Sequence, residues 1–128
     1  MNPSPQHEFR LTQAQRIRTT REFQQCYDSG LRAGDNHLLV FVLPNGLEHS
    51  RVGVSVSKKH GNAVKRNRKK RLLREAFRLL QHELPSGVDF VLVPRQRSDS
   101  ALADYRASLI RLAAKLQRRM QPDSGAAS

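Results

Sequence analysis

The sequence predicts a single small α+β domain, a mixed sandwich of helices packed on a sheet. Three observations predict it. LLVFVL (38–43) and VDFVLV (88–93) are rich in β-branched and aromatic residues and read as strands. RVGVSVS (51–57) alternates strictly, as a half-buried strand does. The stretches following 62 and 100 carry apolar residues at helical spacing. A strand, a helix and a strand in that order suggest a crossover unit with two parallel strands. At 128 residues the chain suits one domain with a modest core.

Thr19 followed three residues later by Glu22 matches a capping box and Gly30 is a plausible stop, so a short helix is expected over roughly 20–28. LLVFVL then runs into Pro44-Asn45-Gly46, a turn signal, and is expected to enter a hairpin with the next strand. In RVGVSVS, Val52, Val54 and Val56 point one way and Gly53, Ser55 and Ser57 the other. The glycine and serines make a flat face that another backbone can approach, and an ordinary solvent-facing surface fits equally well. Asn62 is an N-cap candidate for a helix that reaches about Glu83, before Pro85, with Leu72, Leu73, Ala76, Phe77 and Leu80 as its apolar stripe. The last helix is expected from Asp99 or Ser100, burying Leu102, Tyr105, Leu109, Leu112, Ala113 and Leu116. Residues 1–8 and 120–128 are poor in core-forming side chains and are expected to be disordered tails around a domain spanning 9–119.

Charge decides the class of partner. Twenty-three Lys and Arg against eleven Asp and Glu give a net charge of +12, a field that attracts nucleic acid or an anionic surface. No apolar run approaches the ~20 residues of a membrane span, and the N-terminus has no secretory h-region, so no membrane association is expected. One cysteine, Cys26, excludes an internal disulfide and suits a cytoplasmic protein. From Lys58 to Arg74 there are nine Lys and Arg and no acid. Solvated helix faces normally mix signs. Asn67, Arg71, Arg74 and Arg78 fall at i, i+4, i+7 and i+11, a stripe away from the Leu72, Ala76, Leu80 face. Such like charges repel, and a phosphate backbone relieves them. A basic leucine zipper is excluded because Leu72 and Leu79 give only one heptad step before Ser86 and Pro85.

RNA is favoured over duplex DNA, since an open sheet face accepts an extended strand. Phe23 and Tyr27, one helical turn apart, and Phe41 on a strand are candidates to stack on bases. Taken by themselves, Phe23 and Phe41 read better as core. Catalytic groups are not apparent. The five histidines lack metal-ligand spacing and read as surface residues; no P-loop, nucleophile elbow or dinucleotide fingerprint occurs, and the acids form no metal-binding cluster in sequence.

RVGVSVSKKHGNAVKRNRKKRLLREAFR (51–78), with its central Arg66-Asn67-Arg68, resembles the signature of the bacterial ribonuclease P protein component. REFQQCYDSG, LLVFVL and GVDFVLVPR extend the resemblance over roughly residues 9–119. The resemblance implies an α/β sandwich of order αβββαβα, with a left-handed strand-helix-strand crossover, like a domain of ribosomal protein S5. It therefore implies a fourth strand, expected to be short or to lie near Asp99 to Ala103. It implies a noncatalytic partner of a catalytic RNA that cleaves the 5′ leader from precursor tRNA, with magnesium held mainly by that RNA. Leader contacts would come from Phe23, Tyr27, Phe41 and Ser55, with Lys58 and Lys59 at the rim. Contacts to the catalytic RNA would come from Asn62, Lys65, Arg66, Asn67, Arg68, Arg71 and Arg74. His60 and Pro94 depart from the family's usual pattern. A structural RNA-binder of ribosomal type is the rival reading.

Overall fold

A computed structural model describes residues 11–120. Most of both expected tails lies outside them, although Met120 still closes the last helix. The elements are Thr20–Ser29 (α1), Leu31–Gly34 (β1), Leu38–Pro44 (β2), Arg51–Val54 (β3), Ala63–Leu80 (α2), Val88–Pro94 (β4) and Leu102–Met120 (α3). Single 3-10 turns occupy Gln13–Gln15 and Lys58–His60. The major elements follow the αβββαβα order.

The sheet order is β1-β2-β4-β3, with β3 and β4 parallel and the other pairs antiparallel. The expected parallel crossover is therefore present, but β2 and β3 are not hairpin partners. Six of the seven residues of β4 are buried. A strand apolar on both faces is most stable between two others, so β4 takes the centre and separates β2 from β3. The hairpin lies earlier, between β1 and β2, where the Asp35 carboxylate accepts from the His37 and Leu38 amides at 2.9 Å each.

The fourth strand is thus Leu31–Gly34, while residues 99–101 are coil leading into α3. The start of α3 falls two or three residues later than expected, where the Asp104 carboxylate reaches back to the Ala101 amide at 2.8 Å. α1 and α2 begin as their caps predict. Thr19 Oγ1 accepts from the Glu22 amide, and Asn62 Oδ1 accepts from the Lys65 amide. α2 ends at Leu80, short of Glu83, and regular β3 pairing ends at Val54, short of Ser57.

α2 and α3 cover one sheet face. Leu73, Phe77, Leu80, Tyr105, Leu109 and Leu116 pack there on Leu38, Val40, Val42, Val52, Phe90 and Leu92. α1 covers only part of the other face, through a smaller cluster of Ile17, Cys26, Phe41 and Val91. Among the described residues no helix is long and apolar enough to cross a membrane.

An ion cluster fastens α1. Arg51 Nε and Nη2 donate to the two Asp89 oxygens at 2.8 and 2.6 Å, and Nη1 donates to Glu22 at 2.8 Å. Asn45 Nδ2 adds a bond to Asp89 at 2.9 Å. Burial would raise the Glu22 carboxyl, but the hydrogen bonds from Arg51 and from the Thr19 and Arg18 amides outweigh it, and the group falls from 4.5 to about 2. A depressed carboxyl stabilises the fold above its unfolded pKa. That contribution is lost as the pH falls through 4.5 towards 2.

Two outcomes are expected. Acid titration followed by circular dichroism loses stability across this window, and Glu22→Gln flattens the loss. Arg51→Met leaves Asp89, only 5 % exposed, without its counter-charge; urea unfolding is expected to register a loss of about 3–5 kcal/mol, partly restored by adding Asp89→Asn.

Candidate nucleic-acid interface

The uncovered half of the α1 sheet face forms a groove. α1 presents Phe23 and Tyr27 on one flank, and both remain partly exposed. They line a cavity of about 340 Å³ with Ser55 on its floor and Lys70 of α2 on its far side. Ser55 is shared with a second cavity of about 400 Å³, bordered by Lys59, His60 and Arg95. Phe23 and Val54 are shared with a third, of about 500 Å³, where Arg16, Arg18 and Arg74 gather. The three openings are contiguous, with an apolar middle and cations at both ends.

The alternation in RVGVSVS gives the correct faces: Val52 belongs to the main core, and Gly53 and Ser55 face the α1 side. Gly53 is nevertheless not open. A Cβ there would meet Phe23 Cζ at 2.6 Å and Ile17 Cβ at 3.1 Å, so the flat strand accommodates the protein's own aromatic ring. Phe41 differs from the expected position as well. It is 8 % exposed and lies beneath Tyr27, edge to face, with centroids 5.0 Å apart. The groove surface thus comes from Phe23 and Tyr27, and Phe41 supports them from the core.

Lys58 and Lys59 project from the 3-10 turn at the rim, both exposed. His60, expected as a surface residue, fixes that turn. Its Nε2 donates to the Pro94 carbonyl at 2.8 Å, and its Nδ1 accepts from the Ser57 amide at 3.0 Å. The two family departures therefore meet in one hydrogen bond.

On α2, Asn62, Lys65, Asn67, Arg68 and Arg71 are exposed, while Arg66 and Arg74 are partly buried. Among the described residues, Arg78 is the only cation of α2 with a carboxylate partner, Glu75 at 2.5 Å, so the free stripe ends at Arg74. Burial, then the charge of Arg16, lowers Arg74 below the ordinary arginine range. Arg66 Nε is buried without a hydrogen-bond partner. A buried unsatisfied donor costs about 1–3 kcal/mol, and like charges gathered without acids add repulsion, which an anion would relieve. Arg16 and Arg18 belong to this groove without any signal in the sequence, and Lys70 and His60 lie in the signature stretch but nothing in their spacing shows that the fold brings them here.

Burial, then Asp89, pushes the Cys26 thiol up to about 11, which keeps it protonated. Among the described residues no three His, Cys, Asp or Glu side chains come together as metal ligands. Arginines engage Glu22, Asp35, Glu75, Asp89 and Asp99.

The family model described as Ribonuclease P matches residues 11–117. The ribonuclease P protein component of Desulfovibrio desulfuricans is 42% identical over 121 residues, covering 91% of this chain and 93% of that one. That of Caldanaerobacter subterraneus is 45% identical over 80 residues, covering 62% and 69%. Among solved structures, the RNase P protein from Thermotoga maritima superposes with a TM-score of 0.72 at 30% identity, over 78% of this chain and 96% of that one. A Staphylococcus aureus RNase P protein mutant gives 0.73 at 32% identity, over 81% and 89%.

The close seat of Phe23 on Gly53 makes a specific outcome expected. Gly53→Ala should shift the Phe23 ring resonances, lower stability by about 1–3 kcal/mol and weaken binding of single-stranded RNA. Ser55→Ala, which removes only a hydroxyl, should leave the ring in place; NMR and fluorescence anisotropy read both effects.

Proposed function

The chain belongs to the ribonuclease P protein family, and from that premise we propose that it acts as the protein subunit that helps ribonuclease P remove the 5′ leader from precursor tRNA. The leader runs single-stranded along the groove on the open sheet face. Phe23 and Tyr27 stack on its bases, Ser55 and Lys70 line its path, and Lys58 and Lys59 hold its phosphates at the rim. Phe41 acts indirectly by backing Tyr27. Asn62, Lys65, Arg66, Asn67, Arg68, Arg71 and Arg74 face the catalytic RNA, which carries the active site.

The observation that carries this reading is the continuous groove whose middle is lined by Phe23, Tyr27 and valines with Lys70 beside them and whose ends are cationic, flanked by a helix in which only Arg78 among the described cations has a carboxylate partner. Magnesium, held mainly by the RNA, would supply the charge that activates water and stabilises the leaving oxygen. The described carboxylates fit this division, since arginines already engage five of them. Partners are the catalytic RNA and precursor tRNA, with no DNA or membrane, and the particle works in the cytoplasm.

Adding the protein to a bacterial ribonuclease P RNA and a precursor tRNA at low magnesium should accelerate release of the leader. Absence of acceleration would return the protein to the structural, ribosomal type of RNA-binder, and cleavage without added RNA would make it a protein-only nuclease.

Two variants separate the surfaces. Neutralising Arg66, Arg68 and Arg71 together should weaken binding to the catalytic RNA and reduce its salt slope by about 0.7–0.9 log units for each phosphate that is no longer neutralised. Phe23→Ala with Tyr27→Ala should weaken precursor binding by about 1–3 kcal/mol per stacked base and leave mature tRNA binding almost unchanged. Both are read by titration at several salt concentrations.

A further inference from the structure

A separate cationic surface lies on the outer side of α3. From Arg106 to Met120 this helix carries Arg106, Arg111, Lys115, Arg118 and Arg119 and no Asp or Glu. Arg111, Lys115 and Arg118 fall at i, i+4 and i+7, turned away from Leu109, Leu112 and Leu116, which pack on the sheet. Ala107 and Ala114 share that outer side, and all five of these residues are exposed. α3 rests on β1 and β2, whereas α2 rests on β3, and β1 and β3 are the two opposite edges of the sheet. The leader groove is on the other sheet face, with α1. The outer side of α3 is therefore distinct from the groove and from the basic half of α2.

β1 adds to it. Arg32 is exposed on this edge strand, and Arg119 Nη1 donates to its carbonyl at 2.8 Å, which leaves the other Arg119 donors free. Arg111 Nη2 donates to Asp35, so that acid is already engaged. Among the described residues, Arg32, Lys115, Arg118 and Arg119 have no carboxylate partner. Lys115 stands four residues from Arg111 and Arg119 and three from Arg118, so each of these neighbours repels it. A solvated helix face mixes signs to avoid such repulsion, and a polyanion removes it.

The kind of polyanion follows from what accompanies the charge. Tyr105, the only aromatic of α3, is 1 % exposed, so no ring on this helix can stack on an unpaired base. Ile110 is the only exposed large apolar side chain of the helix, too little to enter a bilayer surface. What remains is a row of cations along about 12 Å of helix, beside two alanines too small to hold another surface away. Double-helical RNA is recognised through its phosphates and 2′-hydroxyls across a wide, shallow minor groove, which such a face fits.

We propose that the outer side of α3, with Arg32, is a further RNA-docking surface, which takes the backbone of a double-helical segment of the catalytic RNA. α2 and α3 lie side by side on one sheet face, so an RNA that meets the cations of α2 extends naturally onto α3. The identity of that RNA rests on the proposed subunit role; the surface adds a grip on paired nucleotides, away from the leader.

The test uses the full chain with ribonuclease P RNA, after acceleration of leader release by the unaltered protein has been measured. No acceleration there defeats the subunit role, whereas the following outcomes decide the role of α3. Lys115→Gln with Arg118→Gln, both exposed and without partners, should weaken binding of ribonuclease P RNA about fivefold and lower its salt slope by about 0.9 log units for each duplex phosphate no longer neutralised. Binding of a single-stranded RNA oligomer should stay almost unchanged. A benzophenone attached at Ala114→Cys should crosslink to paired nucleotides of the RNA; Cys26 does not compete, because it is buried and its thiol stays protonated. Should the double variant fail to fold, this crosslink still decides. Unaltered RNA affinity in the folded double variant, an equal loss for the single-stranded oligomer, or crosslinks that are absent or confined to unpaired nucleotides would overturn the surface.

Discussion

The two-sided grip of Arg51 is the interaction on which the candidate interface depends. Its guanidinium holds Asp89 of the central strand with one edge and Glu22 of α1 with another nitrogen. α1 has only a small apolar cluster beneath it, so apolar burial alone fixes it weakly. With Glu22 tied down, the next residue, Phe23, falls on Gly53, and Tyr27 falls one turn further on, over Phe41. The width of the groove is therefore set by an electrostatic clamp at one end of a short helix. A clamp of this kind is directional where apolar packing is not.

α2 is divided along its length. Its second half buries Leu73, Ala76, Phe77 and Leu80, and its first half carries cations beyond the main core. The apolar half anchors the helix firmly enough for the other half to keep its repulsion. Lys69 shows how far this goes, since its side chain is largely buried and its ammonium donates to the Arg97 carbonyl rather than to an acid. Local stability is given up to keep like charges together on one face of the helix.

The elements with strong periodicity are legible in the sequence. β4 and β2 show as apolar runs, α2 and α3 as stripes, and the caps of α1 and α2 as Thr19 and Asn62. β1 is not, because LRAG is four residues long and buries only Ala33, too little for any alternation to register. The expected β2–β3 hairpin fails because a turn signal at Pro44-Asn45-Gly46 says that the chain bends, not which strand it meets next. The contrast between VDFVLV, apolar at every position but Asp89, and RVGVSVS, apolar on alternate residues, does distinguish a central strand from a flanking one. In the candidate interface, the aromatic pair and the basic signature are visible as sequence. The burial of Phe41 and Lys69 is not, since it arises from Tyr27 packing above one ring and from the Arg97 carbonyl meeting the other side chain.

The central place of β4 also governs the order in which the chain can acquire its structure. β2 and β3 are both made before β4, and each has its long hydrogen-bonded partnership with that later strand. Without β4, the N-terminal half has the short β1–β2 hairpin, local helix, the Arg16–Val52 bridge and the Arg51–Glu22 pair, and a two-stranded hairpin is at best marginally stable in water. Non-local pairing of this kind makes the chain pay loop-closure entropy before contacts reward it. Closure of the sheet therefore requires the chain as far as residue 94, and without β4 the edges of β2 and β3 that face it have no partner.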